Sequence, residues 1–365
     1  MYNVLHILTA DDGGITAVVK NYYQNIDREK FSFDLACITD NEGNDITCMK
    51  AMGANVFHLP RKSLGIKAYV RALKGILNAK KYDAVHVHES ETSYIALWVA
   101  KTCGVKCRVA HAHTSSPFVS LGGELRRLSG VLLNYHYATT VIGCGELAGE
   151  RVFGKKNMKR KKAVVLLNAI ELDKFSYDGE IRSDVRNELD LSDKFVVGFV
   201  GRLAYEKNPL FALKVVQEYH ELNKSAVLVM AGDGCEEAAM RRYMLENSME
   251  DYVYLLGKRT DVLRLYQAFD VLILPSHNEG YPVVAVEALA SGLPVALSRS
   301  ITKELAFFDS VQYFGIDTVD DWVDFLSGVS SLDKEDFRSR ALDLDRFDIK
   351  QIVKKLEAIY TASLV

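Results

Sequence analysis

The chain has 365 residues, 48% of them hydrophobic and 25% charged, and a net charge of −3. These values are those of a soluble globular protein and exclude a global attraction to nucleic acid. At this length one ordinary core does not suffice, and two domains are expected. The six cysteines (Cys37, Cys48, Cys103, Cys107, Cys144 and Cys235) are scattered, and only Cys103 and Cys107 are close. That usage suits reduced thiols in a cytoplasmic protein better than a disulfide framework or a zinc site. The opening MYNVLHIL begins a strand almost at once and lacks the pattern of a signal peptide. No apolar run approaches the ~20 residues of a spanning helix, so any membrane association is expected to be peripheral.

The first half alternates short apolar runs with amphipathic stretches. Strands are expected at Val4–Leu8, Phe33–Thr39, Val56–Leu59, Ala84–His88, Arg108–His113, Thr139–Cys144 and Val164–Leu167. Helices are expected from Gly13-Gly14 to about Ile26, and at Lys67–Lys80, Ser93–Cys103 and Leu121–Tyr135. Strands rich in β-branched residues alternating with helices predict a parallel sheet covered on both faces. Residues 151–162 are strongly basic and read as a surface loop, and the polar stretch from Phe175 to Asp193 reads as the domain junction.

The alternation then restarts. Strands are expected at Phe195–Val200, Ala226–Ala231, Val253–Leu256, Val271–Leu274 and Val295–Ser298. Asn208 reads as the cap of a helix in which Ala212, Val215, Val216, Tyr219 and Leu222 share one face. Further helices are expected from Glu236 and Asp261, over Pro282–Ala290, near Asp321–Val329 and over Ile349–Ala362. The domains are read as 1–175 and 176–347, with 348–365 a final helix. The fold class is α/β, two Rossmann-like domains with parallel sheets and a cleft between them.

Four constellations could carry chemistry. Gly13-Gly14 follows the first strand, where glycine lets the backbone approach a phosphate or sugar, although a plain tight turn explains it equally well. Arg202 and Lys207 lie five residues apart just beyond the strand Phe195–Val200, placed to neutralise a diphosphate. The segment from Leu272 to Pro294 reads as strand, polar turn and helix. Its Glu279 could accept hydrogen bonds from sugar hydroxyls, and the N–H groups near Gly280, Tyr281 and Val283 could meet a phosphate or sugar. Glu287 could reach a ribose diol, while the bland alternatives are a helix cap for Glu279 and a helix-surface carboxylate for Glu287. Finally, His86 and His88 end one strand, and His111 and His113 end the next. Four histidines on neighbouring strands could chelate a metal, as in a metal-dependent hydrolase. The reading taken is that His86 and His111 are core residues and that a strand-end histidine serves as a polar donor to substrate. Asp343-Leu344-Asp345 precedes the last helix and reads as loop and cap.

With these residues in place, the chain resembles the retaining glycosyltransferases of family 4, which have the two-domain GT-B fold. The resemblance covers nearly the whole chain. It is carried by Gly13-Gly14-Ile15, His113, Leu167-Asn168-Ala169-Ile170 with Phe175, Gly201-Arg202 with Lys207, Gly232-Asp233-Gly234, and Glu279 with Glu287. It implies that Arg202 and Lys207 hold the donor's diphosphate, that Glu279 contacts the donor sugar and that Glu287 binds the nucleotide ribose. It implies further that Gly14 closes on the phosphates, that His113 hydrogen-bonds a donor-sugar hydroxyl, and that the last helix crosses back to the N-terminal domain. Thr114 stands after His113 where the family often has Asn, and His277 and Asn278 occupy variable positions, which bears on the identity of the donor sugar.

Breaking a sugar–diphosphate bond develops negative charge on phosphate, which Arg202 and Lys207 would stabilise. A retaining hydrolase would place two carboxylates about 5 Å apart across the bond, and no such pair stands out. The resemblance implies front-face attack, with the departing phosphate taking the acceptor's proton, and neither metal nor cofactor beyond the nucleotide-diphosphate sugar. The expected function is transfer of a hexose or N-acetylhexosamine from a UDP-linked donor to a lipid-linked or growing bacterial surface glycan (capsule, exopolysaccharide or lipopolysaccharide). Basic segments at 61–81 and around Arg126-Arg127 could dock the protein on the inner membrane face, although each could simply pack on its sheet. The alternatives are a nucleotide-sugar epimerase or phosphorylase on the same fold and a catalytically silent sugar-nucleotide-binding subunit.

Overall fold

The computed structural model describes residues 1–9, 14–38, 43–113, 121–279, 281–331 and 343–362. The chain divides into two units, residues 1–169 with 345–365, and residues 170–344.

The first unit is built on seven parallel strands, β1 (Tyr2–Leu8), β2 (Phe31–Cys37), β3 (Val56–His58), β4 (Ala84–Val87), β5 (Cys107–Ala112), β6 (Thr140–Gly143) and β7 (Ala163–Val165). Their order is β3-β2-β1-β4-β5-β6-β7. The order reverses between β1 and β4, where His6 is in register with His86. Residues beyond the carboxyl ends of those two strands sit where open α/β sheets take ligands. On one face the helix Gly14–Asn25 buries Val18, Val19, Tyr22 and Tyr23, and the helix Ile349–Ala362 buries Ile349, Ile352, Val353, Leu356 and Tyr360 in the same core. The second set recurs at helical spacing, and each such side chain contributes about 1.5–3 kcal/mol by leaving water. Glu357 Oε1 of that helix also accepts the Asp27 N–H at 3.0 Å.

The second unit has six parallel strands, β8 (Phe195–Val200), β9 (Ala226–Ala231), β10 (Val253–Leu255), β11 (Val271–Leu274), β12 (Val295–Ser298) and β13 (Val311–Phe314). Their order, β10-β9-β8-β11-β12-β13, repeats the reversal, now between β8 and β11. Strands β8, β9, β11 and β12 are buried at every residue, as expected of a sheet covered on both faces. Gly198 in β8 has a packing reason. A Cβ there would lie 2.2 Å from the Phe269 ring.

Several elements depart from the sequence expectation. The division falls after Ala169 rather than Phe175, and again before Asp345 rather than Asp348. The stretch read as a junction carries the helix Gly179–Glu188, capped by Asp178, whose carboxylate accepts the Glu180 and Ile181 N–H groups. Arg182 and Arg186 of that helix both pair with the fully buried carboxylate of Asp270, at 2.6 and 3.3 Å. The polar composition therefore reflects a buried ion triad, not a linker. The basic run 151–162 includes the end of the helix Glu146–Phe153 and the short helix Lys155–Met158. Strand β13 has no counterpart in the sequence expectation, being a short edge strand with only Val311 buried. Asn208 adopts a left-handed conformation and makes no side-chain cap. At the start of the last helix the Asp348 carboxylate accepts the Lys350 N–H at 3.0 Å.

Candidate functional site

In the second unit, the loop after β8 is held by glycines. A Cβ on Gly232 (φ +147°) would lie 1.8 Å from the Gly201 carbonyl oxygen, and one on Gly234 (φ +159°) 2.2 Å from that of Leu203. The Leu203 N–H donates to Asp233 O at 2.8 Å, and the Glu236 N–H to Leu203 O at 2.8 Å. Gly232-Asp233-Gly234 is thus a buttress that lets two backbones touch and fixes the loop bearing Arg202. A one-turn helix at Tyr205–Lys207 then folds Lys207 back, so that its Cε lies 3.7 Å from where a Gly201 Cβ would be. Pro209 opens the next helix at the position where its missing N–H costs nothing.

Across the strand-order reversal, β11 ends at Leu274 and leads to Glu279. The two loops are stitched together. The His277 N–H donates to Glu206 O at 2.9 Å, and the His277 ring stacks on Tyr205 at 4.5 Å. Lys207 Nζ forms an ion pair with Glu279 Oε2, the two side chains being 20% and 16% exposed. Ser276 Oγ donates to the same oxygen at 3.4 Å, and Glu279 forms an isolated parallel bridge with Ile301. Arg202 is exposed and makes no ion pair with another described residue. Arg202 and Lys207, expected as one constellation, and Glu279, expected in another, thus lie beyond the carboxyl ends of β8 and β11, where Lys207 and Glu279 pair. Glu279 is an ion-pair partner, not the helix cap of the bland reading.

Tyr281 is buried, and the Val283 N–H donates to Tyr281 O at 3.0 Å, so that amide is occupied in this structure. Gly280 lies outside the described residues. Glu287, on the helix Val283–Ala290, is half-buried and accepts the Tyr266 hydroxyl at 2.7 Å. Burial pushes its carboxyl up from the usual range, and the Tyr266 hydrogen bond opposes that in part.

In the first unit, Gly14 begins the helix after β1 and is exposed, with open space where a Cβ would be. Gly13 lies outside the described residues. His113 follows β5 and joins four other histidines, not three. His6, His86, His88 and His111 are fully buried in or just beyond β1, β4 and β5. Burial holds all five rings below the ordinary imidazole value, His6 and His113 at about 3. Two sets, His6/His86/His88 and His88/His111/His113, place one nitrogen from each ring within 4.8 Å of the others, and no carboxylate joins either set among the described residues. The sequence does not single out His6, because 80 residues separate it from its register neighbour His86 and 82 from its hydrogen-bond partner His88, and only strand order brings them together. Glu89 was missed as well. It is buried beside His88, receives Lys62 Nζ at 2.6 Å and the Tyr69 hydroxyl at 3.1 Å, and burial raises its carboxyl.

Two Rossmann-type sheets, one with a paired lysine and glutamate at its reversal and the other with stacked imidazoles, define a two-domain α/β enzyme of the GT-B type. Residues 12–174 match the family described as Glycosyltransferase Family 4, and residues 181–304 that described as Glycosyl transferases group 1. The chain is 33% identical to EpsF of Bacillus subtilis, over 83% of its own length and 80% of that protein. It is 27% identical to the UDP-Gal:alpha-D-GlcNAc-diphosphoundecaprenol alpha-1,3-galactosyltransferase of Escherichia coli, over 78% and 76%. The crystal structure of Anabaena HepE in complex with UDP-glucose superposes with a TM-score of 0.83 at 18% identity, covering 99% of this chain and 100% of that one. The chain belongs to the family 4, group 1 glycosyltransferases.

Proposed function

We propose that this glycosyltransferase is a retaining, metal-independent enzyme. It moves a hexose or N-acetylhexosamine from a UDP-linked donor to a lipid-linked or growing bacterial surface glycan. The observation that carries this reading is the Lys207–Glu279 pair at the β8/β11 reversal, with Arg202 exposed on the same loop as Lys207. A diphosphate meeting Lys207 and Arg202 would be neutralised by two cations, one of them able to bind two oxygens. Glu279 holds the ammonium in place before the donor arrives. As the sugar–phosphate bond breaks, charge grows on the phosphate oxygens where these cations wait, which is the interaction that lowers the barrier. The departing phosphate then takes the proton of the attacking hydroxyl on the same face, so the configuration is retained. Glu287 is assigned to the nucleotide ribose, Gly14 and the amides around Tyr281 to phosphate or sugar, and His113 to a sugar hydroxyl. The E. coli relative, named for a UDP-sugar donor and a diphosphoundecaprenol-linked acceptor, and HepE with UDP-glucose favour this substrate class.

Association with the inner membrane face is part of the proposal. The helix Ile66–Ala79 buries Tyr69, Leu73 and Leu77 and leaves Ile66, Lys67, Arg71 and Lys74 outward, beside exposed Leu64 and Trp98. Apolar side chains among lysines suit an anionic lipid surface. Flotation with anionic liposomes at low salt tests this, and a protein left at the bottom of the gradient refutes it.

The activity test is Lys207→Ala assayed against UDP-hexoses with a lipid-diphosphate-sugar acceptor. The expected loss in kcat is about 10²–10³-fold. The thermal midpoint should change little, since a partly exposed pair contributes at most about 1 kcal/mol. Full activity in this variant refutes the assigned role, an inverted product anomer refutes retention, and loss of activity on chelation refutes metal independence.

A further inference from the structure

The five histidines form one unbranched hydrogen-bonded chain with Tyr360 at its centre. His113 Nε2 meets His88 Nδ1 at 2.7 Å, and His88 Nε2 meets His6 Nδ1 at 3.1 Å. His6 Nε2 meets the Tyr360 hydroxyl at 3.4 Å, and that hydroxyl meets His86 Nδ1 at 2.7 Å. His86 Nε2 meets His111 Nδ1 at 3.1 Å. At the far end, His111 Nε2 is buried without a hydrogen-bond partner among the described residues. At the near end, His113 Nδ1 takes no part in the chain and lies on a half-buried ring.

A neutral imidazole has one N–H and one lone pair, so each link dictates the next. Three arrangements satisfy every link, and the one in which Tyr360 accepts from both His6 and His86 leaves its own buried O–H without an acceptor among the described residues, so two remain in which that hydroxyl donates along the chain. In one, each ring carries its proton on Nε2, and the chain donates from His113 toward His111. This leaves an N–H on His111 buried with nothing to accept it. In the other, each ring carries its proton on Nδ1, and the chain donates from His111 toward His113. This leaves only a lone pair at the buried end. An orphaned buried donor is the rarer and costlier defect. The near end does not choose, because a half-buried nitrogen can either donate or accept.

The geometry points to the second arrangement: His6, Tyr360, His86, His88 and His111 are positioning residues that hold His113 as an Nδ1–H donor. The inference deepens the role proposed above for His113 and rests on it only for the identity of the ligand. It makes His113 a donor to an oxygen of the sugar or phosphate class and leaves its outward nitrogen no lone pair with which to act as a base. It also gives the C-terminal helix a place in the site, because Tyr360 relays the polarity from His86 to His6. Burial supports the count of one proton per ring, since the rings lie far below their ordinary value. It likewise keeps the Tyr360 hydroxyl protonated.

The test is long-range ¹H–¹⁵N correlation on the full chain with ¹⁵N-labelled histidine at neutral pH, with His113 assigned by the loss of its signals in His113→Ala. The expected result is a proton on Nδ1 of His113 and of the four buried rings. A proton on Nε2 of His113 overturns the inference. Tyr360→Phe keeps the ring and removes the relay, so His113 should become a mixture of tautomers. An unchanged single Nδ1–H form in that variant would overturn the chain's role. If the variant does not fold, the wild-type spectrum alone decides. Transfer activity is a separate readout. Full activity in His113→Ala would remove the proposed sugar contact and leave the tautomer assignment to the spectrum.

Discussion

The two sheets share one strand order and treat polar groups oppositely. At the β1/β4 reversal the first unit buries imidazoles that hydrogen-bond to one another and to Tyr360. At the β8/β11 reversal the second unit leaves charges at the rim, where Lys207 and Glu279 keep some contact with solvent. Its buried ions, Asp270 with Arg182 and Arg186, lie at the start of β11, the end of the strand away from the candidate site. On the proposed roles, neutral donors would meet hydroxyls and rim cations phosphate, so one scaffold would serve both by varying only what stands at the strand ends.

The sharpest way to break this comparison is acid. Burial lowers the imidazole pKa values in the folded state, so between the ordinary 6.5 and about 3 the unfolded chain binds protons that the folded chain does not. Stability therefore rises with pH through that window and is lost as pH falls from 6.5. His6 contributes on the order of 1 kcal/mol per pH unit across that window, and His86, His88 and His111, also held low by burial, add to the loss in the same direction. Hydrogen exchange at pH 7 and pH 5 should show β1, β4 and β5 losing protection well before β8 and β11. Parallel loss in both sheets would contradict the contrast.

A smaller effect probes the second unit. Asp270→Ala leaves two buried guanidinium groups and the Val196 N–H without their carboxylate. The expected cost is about 3–5 kcal/mol in denaturant titration. A cost below about 1 kcal/mol would mean that the triad is solvated like an ordinary surface pair.

The smallest effect concerns Glu287, whose carboxyl is raised by burial. A raised carboxyl is stabilising relative to the unfolded chain below the ordinary value of 4.5 and loses that contribution as pH rises through the folded value. Glu287→Gln should flatten the decline in stability above pH 4.5, with the Tyr266 hydroxyl still donating to the amide oxygen. A steeper decline in the variant would show that the charged form is the favoured one.

Much of this was legible in the residues. Runs such as FVVGFV and AVLVMA can only be strands buried on both faces, and charged residues just beyond them must lie at carboxyl ends. Arg202 and Lys207 were readable for that reason. The role of Gly232-Asp233-Gly234 was not, because a close approach between two loops leaves no trace in either segment alone. The stretch from Phe175 to Asp193 reads as a junction because a helix with two arginines turned inward to one aspartate has the composition of a linker.

Local pattern was enough to establish two doubly wound sheets and the cations at the end of β8, since burial on both faces and strand-end position are properties of contiguous residues. The tertiary structure alone decided which distant groups share protons and charge. His6 finds His88, Tyr360 bridges His86 and His6 across more than 270 residues, and Lys207 finds Glu279 72 residues on. Hydrogen bonds and ion pairs act over a few ångströms in space and are blind to separation along the chain. The polarity of the imidazole chain, and with it the proton that His113 presents, is therefore a property of the folded molecule.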